Sequence, residues 1–379
     1  MTRMAAQISH MLAGEEALRK ALGISNPAAL GPALEIARGL PDEAALRAFR
    51  FGCQGPDVFY HNQRTKPSGL HYGALAHRRR SGSLVAGAAS SLSEAERSPD
   101  SPRGAYVLGL STHAALDRAT HPFIICFSGW AEPSDPSTRR RRGCHPFLER
   151  LLDLCLLELR MGMAPADFGI SARMGAGARG IAAAELDASL IAPWAAGLRA
   201  AFPRAAEADA LLEARIANAL ADARHFYAVT DPASPQASRD VRISELEADE
   251  ARYIISVIYP LRIPEGMDPM NEAKAEWPHP AGDGRASRAS YPELVDSGTE
   301  EAARAIGLVL GFWRGELSAS SLAQGLGEGS LALRDADGAA AAPRLCRPLA
   351  LPEAMDAEYA SRIADAARVL DASRARNAR

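Results

Sequence analysis

The sequence predicts a mainly α-helical protein, and two observations lead there. Alanine, leucine and arginine abound while aromatic residues make up only 6% of the chain, so composition favours helix over strand. Apolar residues also recur at helical spacing over 5–22, 27–38, 42–50, 66–79, 104–121, 146–162, 184–201, 205–228, 240–260, 292–312 and 352–373. At 379 residues the chain can bury one large core or two modest ones.

The connections between these segments carry the punctuation. "FGCQGPDVFYHN" contains a Gly55-Pro56 turn that presents Asp57 from a loop, where it can ligate a metal, act as a base, or simply stabilise the turn. Segment 81–104 is small and polar, and segment 131–143 has two prolines and a basic run; both read as mobile loops. Segments 262–290 and 323–351 are irregular and rich in proline, glycine or alanine, which makes the last helix an appendage. The expected organisation is a helical domain over 1–315 and a C-terminal helical extension over 316–379.

A net charge of −3 leaves no overall basic field to recruit nucleic acid or an anionic membrane. The N-terminus lacks an apolar export core, and no stretch reaches the ~18 apolar residues of a membrane span, so a cytoplasmic, soluble protein is expected. The five cysteines, Cys53, Cys126, Cys144, Cys155 and Cys346, are scattered and never form a C-x-x-C pair; they read as reduced thiols.

Histidine is the informative residue. Seven of nine lie in the first 145 positions: His10, His61, His71, His77, His113, His121 and His145. In "HAALDRATHP", His113, Asp117 and His121 stand four residues apart, so on a helix all three point to one side and can share a ligand; a solvated helix face is the alternative. Pro122 is expected to end that helix. In "CHPFLERLLD", Pro146 marks a helix start, which sets His145 and Glu149 one turn apart. One helix end and one helix start can therefore meet at a metal through His121, His145 and Glu149, since zinc takes such nitrogen and carboxylate ligands.

Taken in order, "ISHMLAGEEAL", "FGCQGPDVFYHN", "YGALAH", "YVLGLSTHAALDRATHP" and "CHPFLERLLD" resemble the zinc-dependent phospholipase C family, which belongs with the P1-type nucleases. A later stretch from Met267, with a tryptophan–proline loop followed by a helix, is similar too, so the likeness spans about 10–310. It implies an all-α, irregular multi-helix phospholipase C/P1 nuclease-like domain with long loops, two to three Zn2+ ions, and phosphodiester hydrolysis.

By this resemblance Asp57, His77, His113 and Asp117 form one site and His121, His145 and Glu149 a second, while Asp117 bridges to a third ion held also by His10. Asp57 is then both ligand and general base. His77 is chosen over His71 because "G-x-x-x-H" from Gly73 is closer to the family pattern. Secreted members complete the third site with a processed N-terminus, a companion this chain is expected to lack. The implied partner is a phospholipid or other phosphodiester, with transient membrane-surface contact and no stable nucleic-acid binding. The rival readings are a P1-like nuclease or small phosphodiesterase, and a catalytically silent metal-binding helical protein.

Around these residues, Asp153 is a candidate to orient a ligating imidazole. Arg78–Arg80 and Arg139–Arg142 either recruit phosphate or solvate loops. Phe59, Tyr60 and Trp130 either shape a head-group pocket or pack in the core. His225 and His279 are expected to be structural or solvated.

Overall fold

The computed structural model describes residues 6–24, 43–175 and 181–377. The helix expected at 27–38 lies outside them. Within the described residues the chain forms sixteen α-helices and one two-stranded hairpin. In chain order the first eight helices are α1 (Gln7–Ala21), α2 (Glu43–Gly52), α3 (Leu70–Arg78), α4 (Ser81–Ser90), α5 (Pro102–Ser128), α6 (Cys144–Met161), α7 (Pro165–Phe168) and α8 (Ile170–Arg173). They are followed by α9 (Ile181–Ala201), α10 (Pro203–Glu207), α11 (Leu212–Thr230), α12 (Gln236–Ser244) and α13 (Ala248–Val257). The hairpin β1 (Trp277–Pro278) and β2 (Ala286–Ser287) then leads into α14 (Tyr291–Trp313), α15 (Ala319–Leu326) and α16 (Leu351–Asn377). The strands pair antiparallel, Trp277 opposite Ser287.

Helix α5 is the axis of the fold. Its 27 residues make a rod about 40 Å long, and α2, α14, α1, α4 and α6 all pack on it. The Ser101 side chain accepts the Gly104 N–H, and Pro102 starts the helix, where its missing N–H costs nothing. Pro122 does not end α5, contrary to the sequence expectation; the helix continues to Ser128. A proline inside a helix costs ~3 kcal/mol, but the turn after it buries Phe123, Ile124, Cys126 and Phe127 against α6, Trp277 and Tyr291. A fully buried phenylalanine alone stabilises by ~1.5–3 kcal/mol, so packing outweighs the broken hydrogen bond.

Segment 81–104 is a loop only in part: residues 91–101 are irregular around a 3₁₀ turn at Glu94–Glu96. Ser81–Ser90 is helix α4, with Leu84, Val85, Ala86, Ala88 and Ala89 buried. Its small residues serve close packing against α9: a Cβ on Gly87 would lie 2.6 Å from Ala200 Cβ, and one on Gly197 would lie 2.6 Å from the Leu84 carbonyl oxygen. Segment 131–143 contains a 3₁₀ turn at Pro136–Arg141, docked on α16 through Arg140, which pairs with Glu353 at 3.0 Å and Asp356 at 2.8 Å. The expected helices at 205–228 and 240–260 are each broken in two, giving α10 with α11 and α12 with α13.

Within the segment assigned above to an extension, α15 packs on α4 and α14, and α16 packs on α12, α13 and α6. Arg362 of α16 is buried and donates to Asp240 at 2.7 Å and to the Tyr259 carbonyl at 2.8 Å, tying α16 to α12 and to the end of α13. No helix of the described residues is long and apolar enough to cross a membrane.

Candidate metal centre

Five elements converge on one buried cluster. Helix α1 supplies His10, the 3₁₀ turn Gly55–Phe59 supplies Asp57, α3 supplies His77, α5 supplies His113, Asp117 and His121, and α6 supplies His145 and Glu149. All are buried except His145, which is 19% exposed.

Asp117 is the hub. One carboxylate oxygen, Oδ1, lies 3.2 Å from His10 Nε2, and the other, Oδ2, lies 3.2 Å from His113 Nε2, 3.5 Å from His121 Nδ1 and 3.8 Å from His77 Nε2. Asp57 Oδ1 is 2.8 Å from His77 Nε2. On α6, His145 Nε2 is 3.2 Å from Glu149 Oε1, and His121 Nε2 approaches the same oxygen at 4.0 Å. Three triplets have ligand atoms within 4.8 Å of one another and can each hold a metal ion: Asp57 with His77 and His113, His10 with His113 and Asp117, and His121 with His145 and Glu149. His113 thus belongs to two triplets, whereas the sequence reading gave the bridging position to Asp117. The α5 face anticipated from the i, i+4 spacing is turned inward, so the solvated alternative does not hold.

The imidazoles are oriented by backbone carbonyls. His77 Nδ1–H donates to the Gly73 carbonyl at 2.8 Å, His113 Nδ1–H to the Cys53 carbonyl at 3.2 Å, and His121 Nδ1–H to the Leu331 carbonyl at 3.1 Å. A carbonyl only accepts, so each Nδ1 carries a proton and each Nε2 is left to face a carboxylate, with the His121 Nδ1–H also 3.5 Å from Asp117 Oδ2. In a neutral ring that Nε2 is a lone pair, and two electron-rich atoms at these distances repel unless a proton or a cation sits between them. Asp57 Oδ2, Asp117 Oδ2 and Glu149 Oε2 are buried without a hydrogen-bond partner, as is His113 Nε2. This donor set fits a metal ion.

Charge follows the same geometry. Burial pushes the Asp117 carboxyl up, but His113, His121 and His10 together hold it well below the ordinary carboxylate range. Burial likewise opposes ionisation of Asp57, and His77 and His113 bring it below its usual value. His113, disfavoured by burial yet faced by Asp117 and Asp57, is raised to about 9. Glu149 is raised well above its ordinary value, chiefly by burial, with Asp57, Asp117 and Asp153 adding repulsion against the pull of Arg150.

Several supports were not legible in the sequence. Gly55 has φ 54°, and a Cβ there would fall 2.2 Å from His113 Cγ, so only glycine lets the Asp57 turn lie against that ring. The Leu331 carbonyl that orients His121 and the Leu331 N–H that donates to the His77 carbonyl at 2.8 Å come from the C-terminal irregular region. Asp153 does not orient an imidazole. It accepts the N–H groups of Ile8 and Ser9 at 3.0 and 2.8 Å and so fixes the start of α1, two residues before His10.

His71 is exposed and lies against the Tyr72 ring, away from the cluster. His61 is buried, stacked on Phe226 at 4.0 Å. Phe59 is a core residue, edge-on to Trp194 at 5.0 Å, while Tyr60 leans on His77 at 4.8 Å. Trp130 is half-buried beside Ile125, Ala281 and Leu333. Arg78–Arg80 are exposed. His225 is exposed, and His279 is half-buried near Asp283 and Arg285. Compared with models of protein families, with curated proteins and with solved structures, the chain matches none of them.

Proposed function

We propose that this protein is a zinc-dependent phosphodiester hydrolase that cleaves phospholipid in the phospholipase C manner. What supports the metal is the set of three imidazoles whose Nδ1–H groups are committed to backbone carbonyls while their Nε2 atoms face Asp57, Asp117 and Glu149. Closely spaced zinc ions, when bound, polarise a phosphoryl oxygen and make water more acidic. The residues that would hold them are His10, Asp57, His77, His113, Asp117, His121, His145 and Glu149.

Asp57 is the base in this reading. Its Oδ1 is engaged with His77, whereas its buried Oδ2 has no partner and is free to accept a proton from attacking water. The rigid carbonyl contacts hold the imidazoles before substrate arrives, so little reorganisation accompanies the reaction. His145, at 19% the most exposed member of the cluster, marks the edge where a substrate phosphoryl group reaches it in this reading. The phospholipid substrate rests on the ordered sequence blocks described above, and the net charge of −3 argues against a nucleic-acid field.

The test is metal analysis of the purified protein paired with a hydrolysis screen. Stoichiometric zinc and release of diacylglycerol with a phosphorylated head group are expected. Absence of tightly bound zinc overturns the catalytic reading, and cleavage of single-stranded oligonucleotides in place of lipid moves the assignment to a nuclease.

A further inference from the structure

A cavity of about 260 Å³ lies beside His121 of the metal centre, with Pro122 and Leu331 in its wall. Two of its wall residues touch the cluster: Pro122 follows His121 in the chain, and the Leu331 carbonyl receives the His121 Nδ1–H at 3.1 Å. The rest of the wall is basic, with Arg118, Arg285, Arg334 and His279 around the same space.

Three arginines and one carboxylate, Asp335, line this cavity. Arg285 is neutralised by Asp283, which accepts from its Nε and Nη2. Arg118 has no carboxylate partner: its guanidinium donates to the carbonyls of Leu326 and Gly327 and to the Ser81 hydroxyl, and its buried Nε has no acceptor. Among the described residues Arg334 forms no ion pair, although its side chain passes within 3.3 Å of the Cβ position of Gly329. The lining carboxylate, Asp335, is turned back on its own loop, where Oδ1 accepts the N–H groups of Asp337 and Ala339. Arg118 and Arg334 line the same cavity, and the carboxylates that act on Arg118 are Asp117 and Glu328, neither of which forms an ion pair with it. Two guanidinium groups without a directly paired carboxylate around one cavity favour an anion that joins them, and their planar forks match a tetrahedral oxyanion.

We propose that this cavity is a phosphate-binding site distinct from the metal centre, with Arg118 and Arg334 as the anion-binding pair. Because it shares a wall with His121, it suits a phosphate group carried by the substrate beside the scissile diester. The same chemistry accepts free inorganic phosphate. The substrate form of the inference rests on the hydrolase reading above; the binding site does not.

The test measures inorganic phosphate binding to the full chain by calorimetry, both metal-loaded and after chelation. Arg334→Gln is the variant of choice, since the Arg334 side chain holds no other element in place, and Arg334→Lys is the conservative control. Phosphate is expected to bind with and without metal, at least tenfold more weakly to Arg334→Gln, with partial recovery in Arg334→Lys and unchanged metal content throughout. Binding that disappears on chelation and ignores Arg334→Gln belongs to the metal centre and overturns the site while leaving the hydrolase reading intact. Absence of phosphate binding in every form also overturns it. Absence of zinc and of hydrolysis together with Arg334-dependent phosphate binding removes the hydrolase reading and keeps the site. A comparison of phosphodiesters with and without a second phosphate then identifies the source: preference lost in Arg334→Gln marks a substrate group, and equal rates mark free phosphate.

Discussion

Asp153 receives Ser9 twice, its Oδ1 accepting both the backbone N–H and the hydroxyl at 2.8 Å. Its Oδ2 takes the Ile8 N–H at 3.0 Å and the Tyr259 hydroxyl at 2.9 Å. A carboxylate from α6 therefore satisfies the first donors of α1, which no residue within α1 caps. The consequence is positional: this contact sets the height and rotation at which His10 meets Asp117.

Replacing Asp153 is thus expected to act at a distance. Asp153→Ala leaves several buried donors unpaired, each costing about 1–3 kcal/mol, and loosens His10. Denaturant unfolding of the purified variant should show that loss, and metal titration should show weaker binding of the ion held with His10. Unchanged metal binding in a folded variant removes the positioning role.

Asp117 and Glu149 are expected to differ in how much of the centre they carry. Asp117 lies against four imidazoles, whereas Glu149 lies against His121 and His145. Asp117→Asn should weaken all bound metal, by more than the roughly 10- to 100-fold that loss of an outer hydrogen-bond partner costs. Glu149→Gln should release only the ion shared with His121 and His145. Elemental analysis after equilibrium dialysis separates the two, and equal losses from both variants contradict a divided centre.

Gly55→Ala tests the tightest backbone approach in the site. The added methyl meets the His113 ring at 2.2 Å from a left-handed backbone, so strain and overpacking together should cost about 2 kcal/mol or more. A lowered melting temperature with reduced metal content is expected. A fully stable variant with wild-type metal content would show that the turn can move away from His113.

His61 contributes a pH dependence of its own. Burial pushes its imidazole down to about 3, with Asp57 opposing that shift only weakly. The unfolded chain takes up a proton near pH 6.5 that the native ring refuses, so the contribution is full above about pH 6.5. It falls by about 1.4 kcal/mol per pH unit below that, until the native ring itself titrates. His61→Phe keeps an aromatic ring against Phe226 and removes the slope. Unfolding free energies at pH 7.5, 6 and 5 should favour the variant increasingly as pH falls; a constant difference would rule out titration of His61.

The i, i+4 spacing of His113, Asp117 and His121, and of His145 and Glu149, is local information, so both helical faces were legible from the chain alone. Helices α4 and α15 were not, because glycine, alanine and serine read as linker until another helix is close enough to need small residues. Pro122 misled for the same reason. Local propensity ends a helix there, and only the apolar surface of α6 and the hairpin, brought in from beyond it, makes continuation favourable.

What the sequence determined by itself is the helical class and the i, i+4 groups His113–Asp117–His121 and His145–Glu149, since periodicity is written along the chain, whereas His10, Asp57 and His77 were joined to them only through the family resemblance. Tertiary structure decided how the His113 and His121 rings are turned, because the carbonyls of Cys53 and Leu331 that orient them lie 60 and 210 residues away. It also decided that His279, Arg118 and Arg334 share one cavity. Long-range contacts of this kind are set by how packed elements meet, and no local pattern encodes them.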